Sequence, residues 1–417
     1  MSFKAIQRIL GILLTVFSVT MLPPIVVSWI YNDGAMLAFA IAFGIIITAG
    51  MLIWLPVANV RREARVRDGF IIVVMFWTVL TVTGALPFIL STDPHLSITD
   101  AIFESVSGLT TTGATVITHL DELPESILFY RQQLQWLGGM GIIVLAVAVL
   151  PILGIGGMQL YRAETPGPMK DSKLTPRITE TAKALWMIYL SLTVACAFAY
   201  WVAGMNTFDA IGHAFSTVAI GGFSTHDASM GFFDSTAIYL VAVVFMLLAA
   251  VNFSLHFVAF RSKNPKGYWH DDEFKFYIVI QLIVITVTIL GLWFTKSYDN
   301  WSDAWVHGLF QAVSIGTTAG FTTAEFYNWP GFIAITLLFA SFVGGCAGST
   351  GGGIKVIRLY LLIKQGMREI TRLIHPSAQI PVRIGGKVVQ SRIIEAVWGF
   401  FALYVASFTV MYLALAA

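Results

Sequence analysis

Ser107-Gly108-Leu109-Thr110-Thr111-Thr112-Gly113 returns twice along this chain, as Ser216-Thr217-Val218-Ala219-Ile220-Gly221-Gly222 and as Ser314-Ile315-Gly316-Thr317-Thr318-Ala319-Gly320. Each copy has a serine six residues before its final glycine. The second and third copies continue alike, as Phe223-Ser224-Thr225 and Phe321-Thr322-Thr323. The final glycines are separated by 109 and then 98 residues. Such a period is far longer than a short solenoid repeat and suits a repeated multi-helix unit.

Around these copies the chain is apolar. Of its 417 residues 57% are hydrophobic and 12% charged, with a mean hydropathy of +0.78, which is the composition of an integral membrane protein. Runs at 3–30, 35–57, 70–90, 127–150, 182–203, 236–260, 274–294 and 393–415 approach or exceed the roughly 20 helical residues that cross a hydrocarbon core. A ninth run, starting at 329, is interrupted by Gly344-Gly345-Cys346-Ala347-Gly348-Ser349-Thr350-Gly351-Gly352-Gly353 and resumes through 354–363. Segments 98–109, 208–218 and 305–314 are helical but too short to cross, and each directly precedes or enters one glycine copy. Thr99 or Asp100 is expected to cap the first of them. The first two spans form a hairpin over Tyr31-Asn32-Asp33-Gly34, whose composition suits a tight reversal. The N-terminal run is not a cleaved leader, because it is long, contains Pro23-Pro24, and is followed by no small-residue cleavage site.

Nine spans and three short re-entrant segments assign every charge to a side. With the N-terminus cytoplasmic, 23 of the 25 Lys and Arg residues lie inside and only Arg131 and Lys296 outside, as the positive-inside rule expects. All three glycine copies then enter from the outside. Thirteen acids share that outer side, among them Asp33, Asp93, Glu104, Asp121, Glu122, Glu125 and Asp209, and a negative vestibule raises the local cation concentration.

Non-helical backbone at membrane depth is tolerated where it is buried in protein or lines a watery cavity. A span, a short helix, a Thr- and Gly-rich extended stretch and a returning span place backbone carbonyls around an axis. Such carbonyls replace part of a cation's hydration shell, and glycine allows the dihedrals that turn them inward. The candidate ligands are Thr110, Thr111, Thr112, Gly113, Ala219, Ile220, Gly221, Gly222, Thr317, Thr318, Ala319 and Gly320. They offer oxygen without formal charge, with threonine hydroxyls as a further layer, which favours a weakly held monovalent cation.

The chain resembles the Trk/Ktr/HKT potassium transporter superfamily, closest to the bacterial TrkH-type membrane subunit. The resemblance rests on the three glycine copies, on Trp136-Leu137-Gly138-Gly139-Met140-Gly141, on Tyr161-Arg162-Ala163-Glu164-Thr165-Pro166-Gly167-Pro168, and on Gly348-Ser349-Thr350-Gly351-Gly352-Gly353-Ile354-Lys355. It implies an all-α polytopic fold of span, pore helix, filter loop and span units around one pore, after two extra N-terminal helices. The organisation it implies is a helical hairpin at 1–60, pore repeats at 61–160, 161–265 and 266–375, the last with a broken second span, and the first span of a fourth repeat at 376–417. A fourth glycine is expected at roughly 420–430, past Ala417, so a truncated chain is the favoured reading and a non-conducting variant the other. The resemblance further implies gated potassium uptake through one key glycine per repeat, here Gly113, Gly222 and Gly320, in the bacterial cytoplasmic (inner) membrane. It implies potassium, or rubidium, as the permeating ligand with no covalent cofactor, contact with membrane lipid, a homodimer, and a cytosolic nucleotide-binding regulatory subunit. A sodium- or proton-coupled symporter and a non-conducting membrane assembly protein are the alternatives.

Other residues qualify this reading. The break at Gly344, Gly345, Gly348, Ser349, Thr350, Gly351, Gly352 and Gly353 is either a kinked span with tight packing or, as the resemblance implies, a mobile loop that gates the pore. It lacks the Gly-Lys-Ser/Thr of a phosphate-binding loop. Glu104, His213 and Gln311 each lie nine residues before a filter glycine, and either brace the filter or face the outer vestibule. Gly138, Gly139 and Gly141 suit close helix contact. Arg131 is expected to pair with an acid such as Glu125. The basic loops, 355–392 above all, suit anionic lipid head groups. No enzyme motif is present, and nothing points to nucleic acid.

Overall fold

The computed structural model describes residues 3–59, 66–141 and 178–417. Helices dominate: α1 (Phe3–Ser18), α2 (Leu22–Tyr31), α3 (Met36–Trp54), α4 (Val66–Gly84), α5 (Leu86–Leu90), α6 (Ile98–Leu109), α7 (Glu125–Trp136), α8 (Ile178–Val202), α9 (Thr207–Ala219), α10 (Thr236–Ala249), α11 (Phe253–Ser262), α12 (Lys266–His270), α13 (Asp272–Phe294), α14 (Trp301–Thr317), α15 (Gly331–Val343), α16 (Val356–Ile374) and α17 (Ser391–Ala416). Between α16 and α17 lies a small hairpin of β1 (Arg383–Ile384) and β2 (Lys387–Val388), paired antiparallel. Its two-residue turn is Gly385-Gly386, both at positive φ, as a primed turn requires. This hairpin is absent from the sequence expectation.

Among the described residues, six helical stretches are long and apolar enough to cross a membrane: Phe3–Tyr31, Met36–Val57, Ile71–Leu90, Lys183–Val202, Asp272–Phe294 and Ser391–Ala416. The expected return span 127–150 lies only partly within the described residues. The expected span 236–260 is broken. Thr236–Ala249 and Phe253–Ser262 are separate helices, and Asn252 starts the second by accepting the Ser254 N–H at 2.9 Å.

The described residues pack as two compact units, the first drawn from 3–59, 66–141, 178–249 and 319–328 and the second from 250–318 and 329–417. The core of the first unit gathers Ile9, Leu14 and Phe17 of α1, Phe39 and Ala42 of α3, Leu80 of α4, Leu109 of α6 and Tyr130 of α7, all buried. Tyr130 lies between the rings of Phe39 and Phe88 and donates its hydroxyl to the Gly84 carbonyl at 2.8 Å. An aromatic with a polar tip is buried at little cost when that tip finds an acceptor. The turn before α3 is as its composition suggests. Asn32 and Gly34 adopt positive φ, and Asp33 accepts the N–H groups of Ala35 and Ser126 at 3.1 and 2.8 Å. The core of the second unit joins Ala347, Ile357, Leu361, Val382, Ile384, Val389, Ile394 and Val397. The hairpin is therefore packed with the glycine break and with α16 and α17.

Candidate ion filter and gate

Each filter stretch begins where a short helix ends. For α6 the N-cap is Ser97, not the expected Thr99 or Asp100. The Ser97 hydroxyl oxygen accepts the Asp100 N–H at 3.1 Å and donates to its carboxylate at 2.8 Å. Asn206 repeats this on α9, accepting the Asp209 N–H at 2.8 Å and donating to its carboxylate at 2.7 Å. Both are side-chain N-caps whose capping residue also holds an aspartate at the third helical position. The third helix is longer than the expected 305–314, because Trp301–Thr317 gains a turn at its start and three residues at its end.

At their far ends the three helices stop in the same way. Thr111, Ile220 and Thr318, each two residues before the filter glycine, take φ values of 53°, 53° and 74°. The glycines themselves, Gly113, Gly222 and Gly320, follow at 78°, 82° and 86°. A β-branched residue with positive φ is a true outlier that costs roughly 1–2 kcal/mol. Finding it at the same position three times marks a conformation held by its surroundings. The repeated serine explains part of that hold, because its carbonyl accepts across the helix end, Ser107 from the Thr112 N–H and Ser216 from the Gly221 N–H, both at 2.9 Å. This is the bond that closes a helix through a left-handed residue.

Within the first unit the glycines form a sequence of close approaches. A side-chain carbon added to Gly113 would sit 2.1 Å from the Gly221 carbonyl oxygen, and one added to Gly222 would sit 2.1 Å from that of Ala319. At Gly320 no atom lies within 4 Å of such a carbon. The first stretch thus packs on the second and the second on the third. The hydroxyls of Thr110 and Thr317, three residues before their glycines, donate back to the carbonyls of Val106 and Val313 at 2.6 and 2.7 Å.

The residues nine positions before each glycine include the braces. Buried Glu104 accepts the Thr115 hydroxyl at 3.0 Å, and Thr115 in turn accepts the Ile117 N–H at 3.1 Å. In the second copy His213 takes the place of Glu104. Its Nδ1 faces the Asp209 carbonyl at 2.9 Å, so Nδ1 carries the hydrogen and Nε2 accepts the Ser224 hydroxyl at 2.8 Å. Ser224 accepts the His226 N–H at 3.1 Å. The same relay, from pore helix to the hydroxyl two residues past the glycine and on to the N–H two residues later, therefore occurs in both copies. Gln311 is buried at the corresponding position.

Arg131 does not pair with Glu125. Its Nε donates to Glu104 at 2.7 Å, with the two side chains 1% and 0% exposed. The same guanidinium donates to the Ser224 carbonyl and to the Thr115 hydroxyl, each at 3.0 Å, and lies 4.3 Å from the Phe223 ring centre. One buried cation thus ties the flanks of two glycine stretches, each of its three nitrogens donating one bond, as a buried charge requires. One turn further along α7, Gln135 accepts the Ser216 hydroxyl at 2.7 Å and the Phe223 N–H at 3.1 Å, and donates to the Gly221 carbonyl at 2.7 Å. Gly138 and Gly139 serve close contact as expected. Side-chain carbons there would meet the Leu109 carbonyl at 1.9 Å and the Tyr189 hydroxyl at 2.9 Å.

Past the second glycine, His226 bridges Asp121 and Asp209, the latter at 3.2 Å, and stacks on Phe232 at 3.5 Å. Burial by itself lowers the His226 pKa, but the hydrogen bonds and charges of Asp209 and Asp121 outweigh it and hold the imidazolium above the ordinary histidine value. Five of the expected outer acids, Asp33, Asp93, Asp121, Glu122 and Glu125, line one cavity of about 380 Å³.

In the second unit the glycine break is a loop and not a kinked helix, running from the end of α15 to the start of α16. Gly344, Gly348 and Gly353 hold positive φ. Its ends are stitched together, Ile354 and Lys355 donating their N–H groups to the Phe342 and Val343 carbonyls at 2.7 and 3.0 Å. The loop fills the break between α10 and α11, where the Ala250 carbonyl accepts the Cys346 N–H and the Gly348 carbonyl accepts the Phe253 N–H, at 2.8 and 2.9 Å. It also sits on the third pore helix end. The Gly352 N–H donates to the Thr318 hydroxyl at 2.7 Å, and a side-chain carbon on Gly351 would lie 3.0 Å from the Thr317 carbonyl oxygen. Buried Lys355 donates its ammonium to the Gly351 carbonyl.

Residues 35–417 match the TrkH family, described as cation transport protein. The chain belongs to the TrkH family. Its relatives include the Trk system potassium uptake protein TrkH of Vibrio parahaemolyticus, 59% identical over all of this chain and 86% of the relative. The protein of the same description in Escherichia coli K12 is 55% identical over the same shares. The crystal structure of the potassium transporter TrkH from V. parahaemolyticus superposes with a TM-score of 0.90 at 56% identity, covering 99% of this chain and 86% of that one. This TrkH-family chain is thus an all-α multi-pass membrane protein of a transport family, not of an enzyme family.

Sequence reasoning missed Arg131 and Gln135 as supports of the glycine stretches. The signal was present. Arg131-Gln132-Gln133-Leu134-Gln135 interrupts an apolar run, and polar residues inside a membrane segment mark partners or function.

Proposed function

We propose that this chain takes up potassium across the bacterial cytoplasmic membrane, N-terminus inside, through a filter lined by Thr110–Gly113, Ala219–Gly222 and Thr317–Gly320. The observation that carries the reading is the threefold left-handed residue, spacer, left-handed glycine pattern, with each of the first two glycines packed against the next stretch's carbonyl oxygen. Alternating backbone of this kind turns successive carbonyls toward a common axis, where uncharged oxygens replace a cation's hydration shell. The relatives' names, Trk system potassium uptake protein, support potassium as the ion.

The loop Gly344–Gly353 is the gate in this reading. Its seating on Thr317 and Thr318 supports that role. A homodimer and a cytosolic nucleotide-binding regulator belong to the proposal through the family resemblance. Rubidium uptake into proteoliposomes by the full-length protein tests it, with and without a sodium or proton gradient. Uptake driven by the rubidium gradient alone is expected. Uptake that requires a coupling gradient would replace the channel by a symporter, and no uptake under any condition would leave an assembly role.

A further inference from the structure

Two acids begin α13, and neither takes part in the filter. Asp272 accepts the Gly385 N–H at the tip of the β hairpin at 2.8 Å. Glu273, 9% exposed, reaches the gate loop, where one carboxylate oxygen accepts the Ala347 N–H at 2.6 Å and the Ile357 N–H at 3.2 Å. Ala347 lies in the first half of the loop and Ile357 in the first turn of α16 beyond it. A single oxygen therefore holds the two sides of the glycine loop together. The site suits an anion, since the first-turn N–H groups of α16 have no intrahelical acceptor and the helix start attracts negative charge.

The glycines between these two points contribute no side-chain packing. The loop is kept in place by its anchors. Apart from its stitched ends, these include the α10–α11 break, the Thr318 hydroxyl, the Lys355 ammonium and Glu273, which brings a carboxylate. The same apolar cluster contains Ala347, Ile357 and the hairpin residues Val382, Ile384 and Val389, so hairpin, loop and α13 start are one packed body.

We propose that Glu273 is the latch of the gate loop, a positioning residue whose release frees the loop, with the hairpin joined to the same turn through Asp272. The inference rests on the reading of Gly344–Gly353 as a gate. Cys346 supplies a native reporter, since it lies in the loop and is 1% exposed. In a Cys196→Ser background of the full-length protein, the rate at which a membrane-permeant maleimide modifies Cys346 measures loop release directly.

Glu273→Ala removes an ionised acceptor from two donors and is expected to speed labelling on the order of 10- to 100-fold. Glu273→Gln keeps an acceptor oxygen but loses the charge and is expected to show about 3- to 10-fold. Rubidium uptake in the unstimulated state should rise in the same order, with the potassium over sodium ratio unchanged, which separates a latch from damage to the filter. Wild-type labelling rates in both variants would overturn the latch. Should Glu273→Ala not reach the membrane, the Gln variant alone decides. Faster labelling with unchanged uptake would leave the latch standing and overturn the gate reading. Asp272→Ala is expected to speed labelling about twofold, and no change there would remove the hairpin from the device.

Discussion

The Glu104–Arg131 pair offers a quantitative test of how the filter is supported. Arg131→Met keeps much of the stem against Phe223 but removes three donated bonds, to Glu104, Thr115 and Ser224. It leaves a carboxylate with no exposure, satisfied only by Thr115 and the Val116 N–H. Stranding one member of a buried pair costs roughly 3–5 kcal/mol. With an unfolding entropy of about 2.1 cal/mol/K per residue over 417 residues, that cost lowers the thermal midpoint by roughly 3–6 °C. Glu104→Gln strands the guanidinium instead and should fall in the same range. The double variant has no buried charge, so its loss should be smaller than the sum of the two by at least about 2 kcal/mol. The assay is thermal release of the two buried thiols, Cys196 and Cys346, in detergent. Single losses that add to the double within about 0.5 kcal/mol would refute the argument that this pair is coupled and buried.

Gly113→Ser forces a side-chain carbon to within 2.1 Å of the Gly221 carbonyl at a φ of 78°, and should lower the potassium over sodium permeability ratio. An unchanged ratio would remove Gly113 from the filter. Gln135→Leu leaves the Gly221 carbonyl and the Phe223 N–H without their partner, at roughly 1–3 kcal/mol for each buried group. It should lower both selectivity and the thermal midpoint, while a variant indistinguishable from wild type would make Gln135 a bystander. His226 carries a raised pKa in the folded protein. Its bridge therefore stabilises fully below the unfolded value of about 6.5 and fades as pH climbs through the folded value. The gap in thermal midpoint between wild type and His226→Gln should be largest near pH 6 and should close toward pH 9. A gap that does not change with pH would contradict the bridge.

Elements fixed by local pattern were legible before any coordinates. Ile98–Leu109 is the helix that its apolar spacing describes, and the turn at Asn32 to Gly34 follows from residue chemistry. Trp301–Thr317 starts a turn earlier than expected, with Asp303 in its first turn, and apolar spacing does not register polar first turns. The break at 250–252 was hidden inside an apolar run. Asn252 hinted at it, but the break is made affordable by the Cys346 N–H and the Gly348 carbonyl, partners almost a hundred residues away. The three glycine stretches stand out by repetition alone. What repetition could not reveal was the apparatus behind them, since Arg131 and Gln135 have no counterpart in the other copies and act through long-range bonds. The latch at Glu273 was invisible for the same reason: its partners are backbone N–H groups, which carry no sequence signature.

The central claim is that the three glycine stretches face one ion path. Anomalous diffraction from crystals of the full-length protein soaked in rubidium locates the ion directly. Density is expected beside the carbonyls preceding Gly113, Gly222 and Gly320, lost in Gly113→Ser. Ordered rubidium elsewhere in the membrane region, with none beside those carbonyls, would contradict it.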